Sequence, residues 1–339
     1  MVGLVGGTLA LVTVGAWGVV TVLDGHDTPA PVVEECRATY EGTAWALTPA
    51  RSAFAALIGV RALATGLPAR AATIALATAY QESTILNLDH GDRDSLGLFQ
   101  QRPSQGWGTK TQVRDPVHAT TAFYAALVKV DGYREMSVTE AAQAVQRSGF
   151  PEAYADHEAL GRAWASALHG YSTGDLTCTL APVVLAADGT FDDGLVKADD
   201  GSPPAAPLVV LEHRLARDLP ELELSTGRTA STASGDGAPD GSAAPDGGTS
   251  PSGAPTATLD ATDAARAFDA GKDASTVDRV AWALGQWAVA VAAETGTVSV
   301  DVTTSEGAMR WSRSTSTWAP VTPAEAPGVT LTFPATATG

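Results

Sequence analysis

Residues 71–101 read AATIALATAYQESTILNLDHGDRDSLGLFQQ. Positions 71–81 carry no charged side chain, and Glu82 then closes the run. Pro68 opens this Ala-rich segment, which is predicted as a helix running through Glu82. A carboxylate on its last turn faces the negative end of the helix dipole, and packing around it removes water. Both effects favour the protonated form and raise the pKa. A general acid acting on a glycosidic oxygen near neutral pH needs that property. The same position also suits a solvated carboxylate with no role.

Shortly after Glu82 comes Ser95-Leu96-Gly97-Leu98-Phe99-Gln100-Gln101. Gly97 lets backbone approach a ligand closely. The two glutamines offer donors and acceptors together, which suits sugar hydroxyls and N-acetyl groups. Taken alone, this stretch reads equally as an ordinary strand or turn.

Together, Gln-Glu-Ser followed by Ser-x-Gly-Leu-Phe-Gln resembles the lysozyme-like superfamily, and within it the soluble lytic transglycosylase branch. The segment QESTILNLDHGDRDSLGLFQQRPSQGWGT also resembles a group of actinobacterial membrane-anchored proteins that carry this domain. The resemblance covers roughly residues 50–170. It implies a helical two-lobed domain with a glycan cleft, in which Glu82 protonates the bond between N-acetylmuramic acid and N-acetylglucosamine. Glu82 then acts as base on the muramoyl 6-hydroxyl, giving a 1,6-anhydro end. It further implies that Ser95 lies near Glu82, and that Gly97, Phe99 and Gln100 line the cleft; Gln101 is grouped with them.

The family usually places a Tyr-Asn-Ala-Gly segment on a later helix, with the Tyr beside the catalytic carboxyl. Here the comparable helix reads Ala-Ala-Gln-Ala-Val-Gln-Arg-Ser at 141–148. Gln143, Gln146 or Arg147 is left to supply the polar contact, and Gln146 is taken as the substrate-side candidate. Asp89, Asp92 and Asp94 follow Glu82 in the loop. One of them would serve as the partner carboxylate of a hydrolase, which needs a second carboxyl at about 5–9.5 Å. Otherwise they form Asx turns or pair with Arg93. Trp107 either stacks on a sugar ring or plugs the protein beneath the loop.

The remaining chain is expected to be α+β. It divides into an N-terminal transmembrane helix, a mainly α-helical lysozyme-like domain, a low-complexity linker and a small α+β C-terminal module. The boundaries are 1–24 anchor, 25–35 spacer, 36–180 catalytic domain, 181–224 partly structured, 225–257 disordered linker and 258–339 module. Residues 36–178 read as almost wholly helical. Thr48-Pro49 starts one helix that ends near Gly66, Asp115-Pro116 starts another, Ser137-x-x-Glu140 is a capping box, and a further helix spans 154–168. The long polar loop 87–114 is of the kind that carries function. A helix is expected around 210–217. In the C-terminal module Ser275-x-x-Asp278 caps a helix, and 298–302, 309–313 and 329–333 read as strands. The tryptophans Trp282, Trp287, Trp311 and Trp318 suit a core better than a ligand platform.

Residues 2–23 carry no charge, and as a helix they would reach about 33 Å, enough to cross a bilayer core. The run is longer than a cleaved signal's apolar region and lacks a small-residue cleavage pattern, so an uncleaved anchor is expected. No basic residue precedes it, and a start upstream of Met1 is one expected reason. With Asp24, His26 and Asp27 just after it, the bulk of the chain is placed outside the cytoplasmic membrane. Outside the cytoplasm, Cys36 and Cys178 are expected to form a disulfide. Closing so long a loop stabilises the fold by about 4–5 kcal/mol in the chain-entropy model. In a reducing compartment they would be two separate thiols.

With 21 basic against 38 acidic side chains and a net charge of −17, the chain lacks the basic stripe that nucleic acids require. The histidines and cysteines lack ligand spacing, so neither a metal nor another cofactor is expected. The expected function is a membrane-anchored lytic transglycosylase acting on peptidoglycan glycan strands. A hydrolytic muramidase and a non-catalytic glycan-binding scaffold are the alternatives. Cell-wall proteins are the expected partners of the C-terminal module.

Overall fold

The computed structural model describes residues 32–147, 152–191, 206–229, 253–271 and 273–335. The expected anchor at 2–23 lies outside them. Among the described residues no helix is long and apolar enough to cross a membrane.

The fold is α+β, with two antiparallel sheets. Strands β1 (Glu35–Tyr40) and β2 (Thr43–Leu47) form a hairpin. Its two turn residues, Glu41 and Gly42, both take positive φ (50° and 76°), the backbone that a two-residue hairpin favours because its twist matches the strands. The third strand of this sheet, β3 (Leu176–Thr179), pairs with β1 so that Cys36 faces Cys178 directly. The two cysteines form a disulfide. The almost wholly helical segment expected between them therefore begins and ends in sheet. Cys36 and Ala38 are buried while their neighbour Arg37 is exposed, a period of two that identifies a half-buried strand.

Between these strands lie the helices. α1 (Pro49–Ala64) starts where Thr48-Pro49 places it, although the Thr48 side chain makes no capping bond. α2 (Ala69–Ser83) contains the uncharged run, and residues 71–79 are buried without exception. Over that stretch the helix has no solvent face, which is why the sequence there has no polar stripe. α3 (Lys110–Arg114) and α4 (Pro116–Leu127) follow the long loop; Asp115 caps α4 by accepting from the Val117 N–H at 2.9 Å. α5 (Val138–Gln146) has the expected capping box between Ser137 and Glu140. The helix expected over 154–168 begins instead as a 3-10 turn, Ala153–His157, before α6 (Glu158–Leu168).

α7 (Pro207–Asp218) extends the helix expected around 210–217. Next come β4 (Ser225–Arg228), β5 (Pro255–Asp260), α8 (Ala261–Ala267), α9 (Ala274–Ala290), α10 (Ala292–Thr295), β6 (Ser299–Thr304), β7 (Gly307–Ser312), β8 (Thr317–Val321) and β9 (Gly328–Thr332). The six strands order as β4-β5-β9-β6-β7-β8. Two expectations are corrected here. The stretch taken as linker contributes β4 at its start and enters β5 at its end, while 230–252 lies outside the described residues. The cap of α9 is Asp273, which accepts from the Thr276 N–H at 3.0 Å; Asp278 instead accepts from the Ser305 N–H at 2.8 Å.

The C-terminal segment does not stand apart from the helices before it. α9 lies against β6 and β9 on one side and against α1, α6 and β3 on the other. Gln286 of α9 is fully buried. Its side chain accepts from the Leu176 N–H at 3.0 Å and donates to the Ala167 and Ser172 carbonyls at 2.9 and 2.7 Å. At Gly170 an added Cβ would meet the Arg279 carbonyl oxygen at 1.8 Å, so only glycine allows the two backbones to meet. Buried apolar residues from both halves form one cluster.

Candidate active site

Glu82 occupies the last turn of α2, and the chain turns sharply after it. Thr84 and Ile85 both adopt left-handed backbone (φ 55° and 57°). The neighbouring Ser83 ties the turn to the distant loop. Its hydroxyl donates to the Leu98 carbonyl at 2.7 Å and accepts from the Leu86 N–H at 3.2 Å. The Glu-Ser pair thus places a carboxyl and its loop anchor on consecutive residues.

The loop closes on itself through a small bridge. Leu96 and Gln101 exchange two backbone hydrogen bonds of 3.0 Å. Gly97 has φ +77°, and a Cβ there would lie 2.2 Å from the Val113 carbonyl oxygen. Its close approach is therefore to α3 and not to a ligand. Phe99 is fully buried and stacks on Phe123 with ring centroids 4.6 Å apart. Gln101 is also buried and donates to the Ala119 carbonyl at 3.0 Å. Gln100 folds back onto the His90 and Gly97 carbonyls, each at 3.2 Å. Gly97, Phe99, Gln100 and Gln101, expected along a cleft, here make the contacts that build the loop. Trp107 is half-buried and packs against the core.

Gln146, at the end of α5, reaches the carboxyl. Its amide donates to the Phe99 carbonyl at 2.8 Å and also hydrogen-bonds Glu82. The second contact comes from Tyr154, whose hydroxyl donates to Glu82 Oε1 at 2.7 Å. Tyr154 is fully buried in the 3-10 turn before α6. That turn is held against α2 by His157, whose Nε2 lies 2.8 Å from Gln81 Oε1 and whose ring centroid is 4.7 Å from that of Tyr80. Burial pushes the Glu82 pKa above the ordinary carboxylate value, while the hydrogen bonds from Tyr154 and Gln146 pull it part of the way back.

Sequence reasoning missed Tyr154. It sought a tyrosine within residues 141–148, whereas this one follows α5 by eight residues. Its signal was an aromatic residue with a hydroxyl where the helical pattern resumes.

The loop aspartates are engaged elsewhere. Asp94 accepts from Arg102 Nε at 2.8 Å, the Ser104 N–H at 2.8 Å and the Ser104 hydroxyl at 2.9 Å. These contacts hold its carboxyl well below the usual range. Its cation is therefore Arg102 and not Arg93. Asp89 bonds His90 at 2.9 Å, and Asp92 lies 3.8 Å from Arg93. Ser95 is buried beneath the loop and borders an open cavity of about 890 Å³ with Asn87, His90, Asp94, Lys110 and Arg114. A smaller hollow of about 360 Å³ lies between the β1–β2 hairpin and α6. Glu82 lines neither.

A half-buried carboxyl with raised pKa, facing a phenol and an amide, can deliver a proton. The same two donors then stabilise the carboxylate left behind. In comparison with known proteins, the chain matches no family model and no curated protein sequence.

Proposed function

We propose that this chain is a peptidoglycan-cleaving enzyme of the lytic transglycosylase type, anchored by residues 2–23 to the outer face of the cytoplasmic membrane. The observation that carries the reading is the Tyr154–Glu82–Gln146 arrangement: a carboxyl whose pKa burial raises, with a phenol at 2.7 Å. In the proposed reaction Glu82 gives its proton to the glycosidic oxygen between N-acetylmuramic acid and N-acetylglucosamine. It then draws a proton from the muramoyl 6-hydroxyl, whose oxygen closes on C1 to form the 1,6-anhydro ring.

Two observations favour this over hydrolysis and over a binding scaffold. The groups that hydrogen-bond Glu82 are a phenol and an amide, while Asp89, Asp92 and Asp94 contact His90, Arg93 and Arg102. A phenol beside the carboxyl is what the resemblance implies, and the contact of Tyr154 with Glu82 supports the reading. The disulfide between Cys36 and Cys178 supports an oxidising compartment.

The test is digestion of purified peptidoglycan by the wild type and by Glu82→Gln, with products identified by mass. Anhydro-muramic ends from the wild type and none from the variant are expected. Reducing ends would make it a hydrolase. Binding to sacculi without release of fragments, equal in both proteins, would make it a scaffold.

A further inference from the structure

Residues 153–157 read Ala-Tyr-Ala-Asp-His and fold as the 3-10 turn that leads into α6. Such a turn has three residues per revolution, so side chains three apart leave the backbone on the same side. In an α-helix they would diverge by about 60°. The 3-10 geometry therefore sends Tyr154 and His157 together toward α2, while Ala155 and Asp156 between them are exposed.

On α2 the two side chains meet consecutive residues. The Tyr154 hydroxyl donates to Glu82 Oε1 at 2.7 Å, and His157 Nε2 lies 2.8 Å from Gln81 Oε1. An amide oxygen only accepts, so the ring nitrogen carries the hydrogen. The imidazole also rests against the Tyr80 ring, with centroids 4.7 Å apart. Tyr154 is fully buried and packing fixes its ring, yet O–H···O bonds span only about 0.5 Å in length. How closely the turn sits on α2 therefore decides whether the phenol reaches the carboxyl. Gln81 is exposed, so its bond to His157 is not needed to fill the core.

The chemistry of the donor matters as well. Burial lowers the His157 pKa, against the pull of the neighbouring Asp156 charge, so near neutral pH the donor is uncharged. A lysine or arginine in its place would hold the turn but would also favour the ionised form of Glu82. Imidazole holds it without that effect.

We propose that His157 is a positioning residue: its hydrogen bond to Gln81 seats the 3-10 turn so that the Tyr154 hydroxyl reaches Glu82. The inference deepens the function proposed above and rests on it for its effect on rate. The short bond across the surface thus sets the proton affinity of a carboxyl that His157 does not touch.

The test follows Glu82 in the full chain by NMR of its carboxyl carbon, with the signal assigned through Glu82→Gln. In the wild-type background Tyr154→Phe should raise the Glu82 pKa, because the ionised form loses a donor. In the His157→Ala and Gln81→Ala backgrounds the same substitution should raise it by less than about half as much, the phenol having already moved away. His157→Gln, whose amide offers a donor near the place of Nε2, should keep most of the rise. Fragment release from peptidoglycan should follow the same pattern. Tyr154→Phe is expected to cost about tenfold alone, and about twofold or less once His157 is alanine.

A rise in either alanine background equal to that in the wild type overturns the proposal. So does the absence of any rise in the wild type, or a His157→Gln chain that behaves like His157→Ala. Should His157→Ala fail to fold, Gln81→Ala carries the test from an exposed position. Collapse of that variant too would show that the pair holds the fold rather than the phenol, and would also overturn the proposal. A wild type that cleaves no peptidoglycan overturns the proposed activity instead, and the titration still decides the role of His157.

Discussion

The Tyr154 hydroxyl donates to Glu82 Oε1 at 2.7 Å, which joins the close of α2 to the 3-10 turn that begins α6. This contact opposes burial, because it stabilises the ionised carboxyl while desolvation destabilises it. Burial is the larger effect, and the carboxyl stays above its ordinary pKa.

Tyr154→Phe removes the lowering contact and keeps the ring that packs. The Glu82 pKa should then rise further. If the acid form starts the reaction, activity falls as pH climbs through that pKa, so the alkaline limb of the pH–rate profile should move to higher pH. The plateau rate should drop by about tenfold, since the carboxylate formed in the first step loses a donor. A fragment-release assay across the pH range checks both. An unmoved or acid-shifted limb would show that Tyr154 does not set the proton affinity of Glu82.

Much of this site was legible in the sequence because its anchors are local. Glu82 and Ser83 are adjacent, and the capped starts of α4 and α5 announce themselves through Asp115-Pro116 and Ser137-x-x-Glu140. The places of Gly97, Phe99 and Gln101 were not legible, for a physical reason. A motif records which residue types a loop needs, and it does not say whether they face a ligand or the core. Gly97 is needed because Val113 is there, and Phe99 because Phe123 is there. Tyr154 acts on Glu82 across 72 residues, and only the packing of α6 on α2 brings it in. The edge strand β4 was hidden because it carries no apolar side chain and is exposed throughout, so it has no alternation to detect.

Arg214 and Asp218 test the joint between the two halves. Arg214 is buried and donates to Asp218 at 2.6 Å, to Glu294 and to the Ala53 carbonyl. Asp218, fully buried, also accepts from the Trp287 indole N–H at 2.9 Å. Asp218→Asn keeps an acceptor for Trp287 but removes a charge from a dry network. It should cost about 3–5 kcal/mol, because the guanidinium loses a buried counter-charge. Urea denaturation should show a lower midpoint with an unchanged slope. A loss below about 1 kcal/mol would mean that Glu294 alone balances Arg214.

His169 makes the fold sensitive to acid. It is fully enclosed, and burial, helped by the nearby Arg279 charge, lowers its pKa to about 3 from an ordinary 6.5. The unfolded chain binds a proton here below 6.5 and the folded chain does not until about 3. Between these values the unfolded state holds more protons, so stability falls as pH drops and is fully present above 6.5. The melting temperature of the wild type should therefore fall more steeply between pH 6.5 and 4 than that of His169→Gln. Parallel curves would assign the acid sensitivity to other groups.

Removing the C-terminal segment tests whether the helices between the two cysteines fold alone. Expected from sequence as a domain of their own, residues 36–180 keep their disulfide and the whole Glu82 site. In the structure, however, one face of α1 and α6 is covered by α9. The truncated chain would expose that face together with the backbone groups that Gln286 satisfies: the Leu176 N–H and the Ala167 and Ser172 carbonyls. It would also lose the bond from the Ser52 hydroxyl to the Ala290 carbonyl at 2.6 Å. Unpaired buried polar groups and an uncovered apolar face both count against a stable fragment. A chain ending at residue 180 should aggregate or melt without a cooperative transition, while one running from 32 to 335 should unfold in a single step by calorimetry. A soluble, cooperatively melting fragment that still cleaves peptidoglycan would show that the contacts of α9 are dispensable, and that the C-terminal sheet is an accessory domain after all.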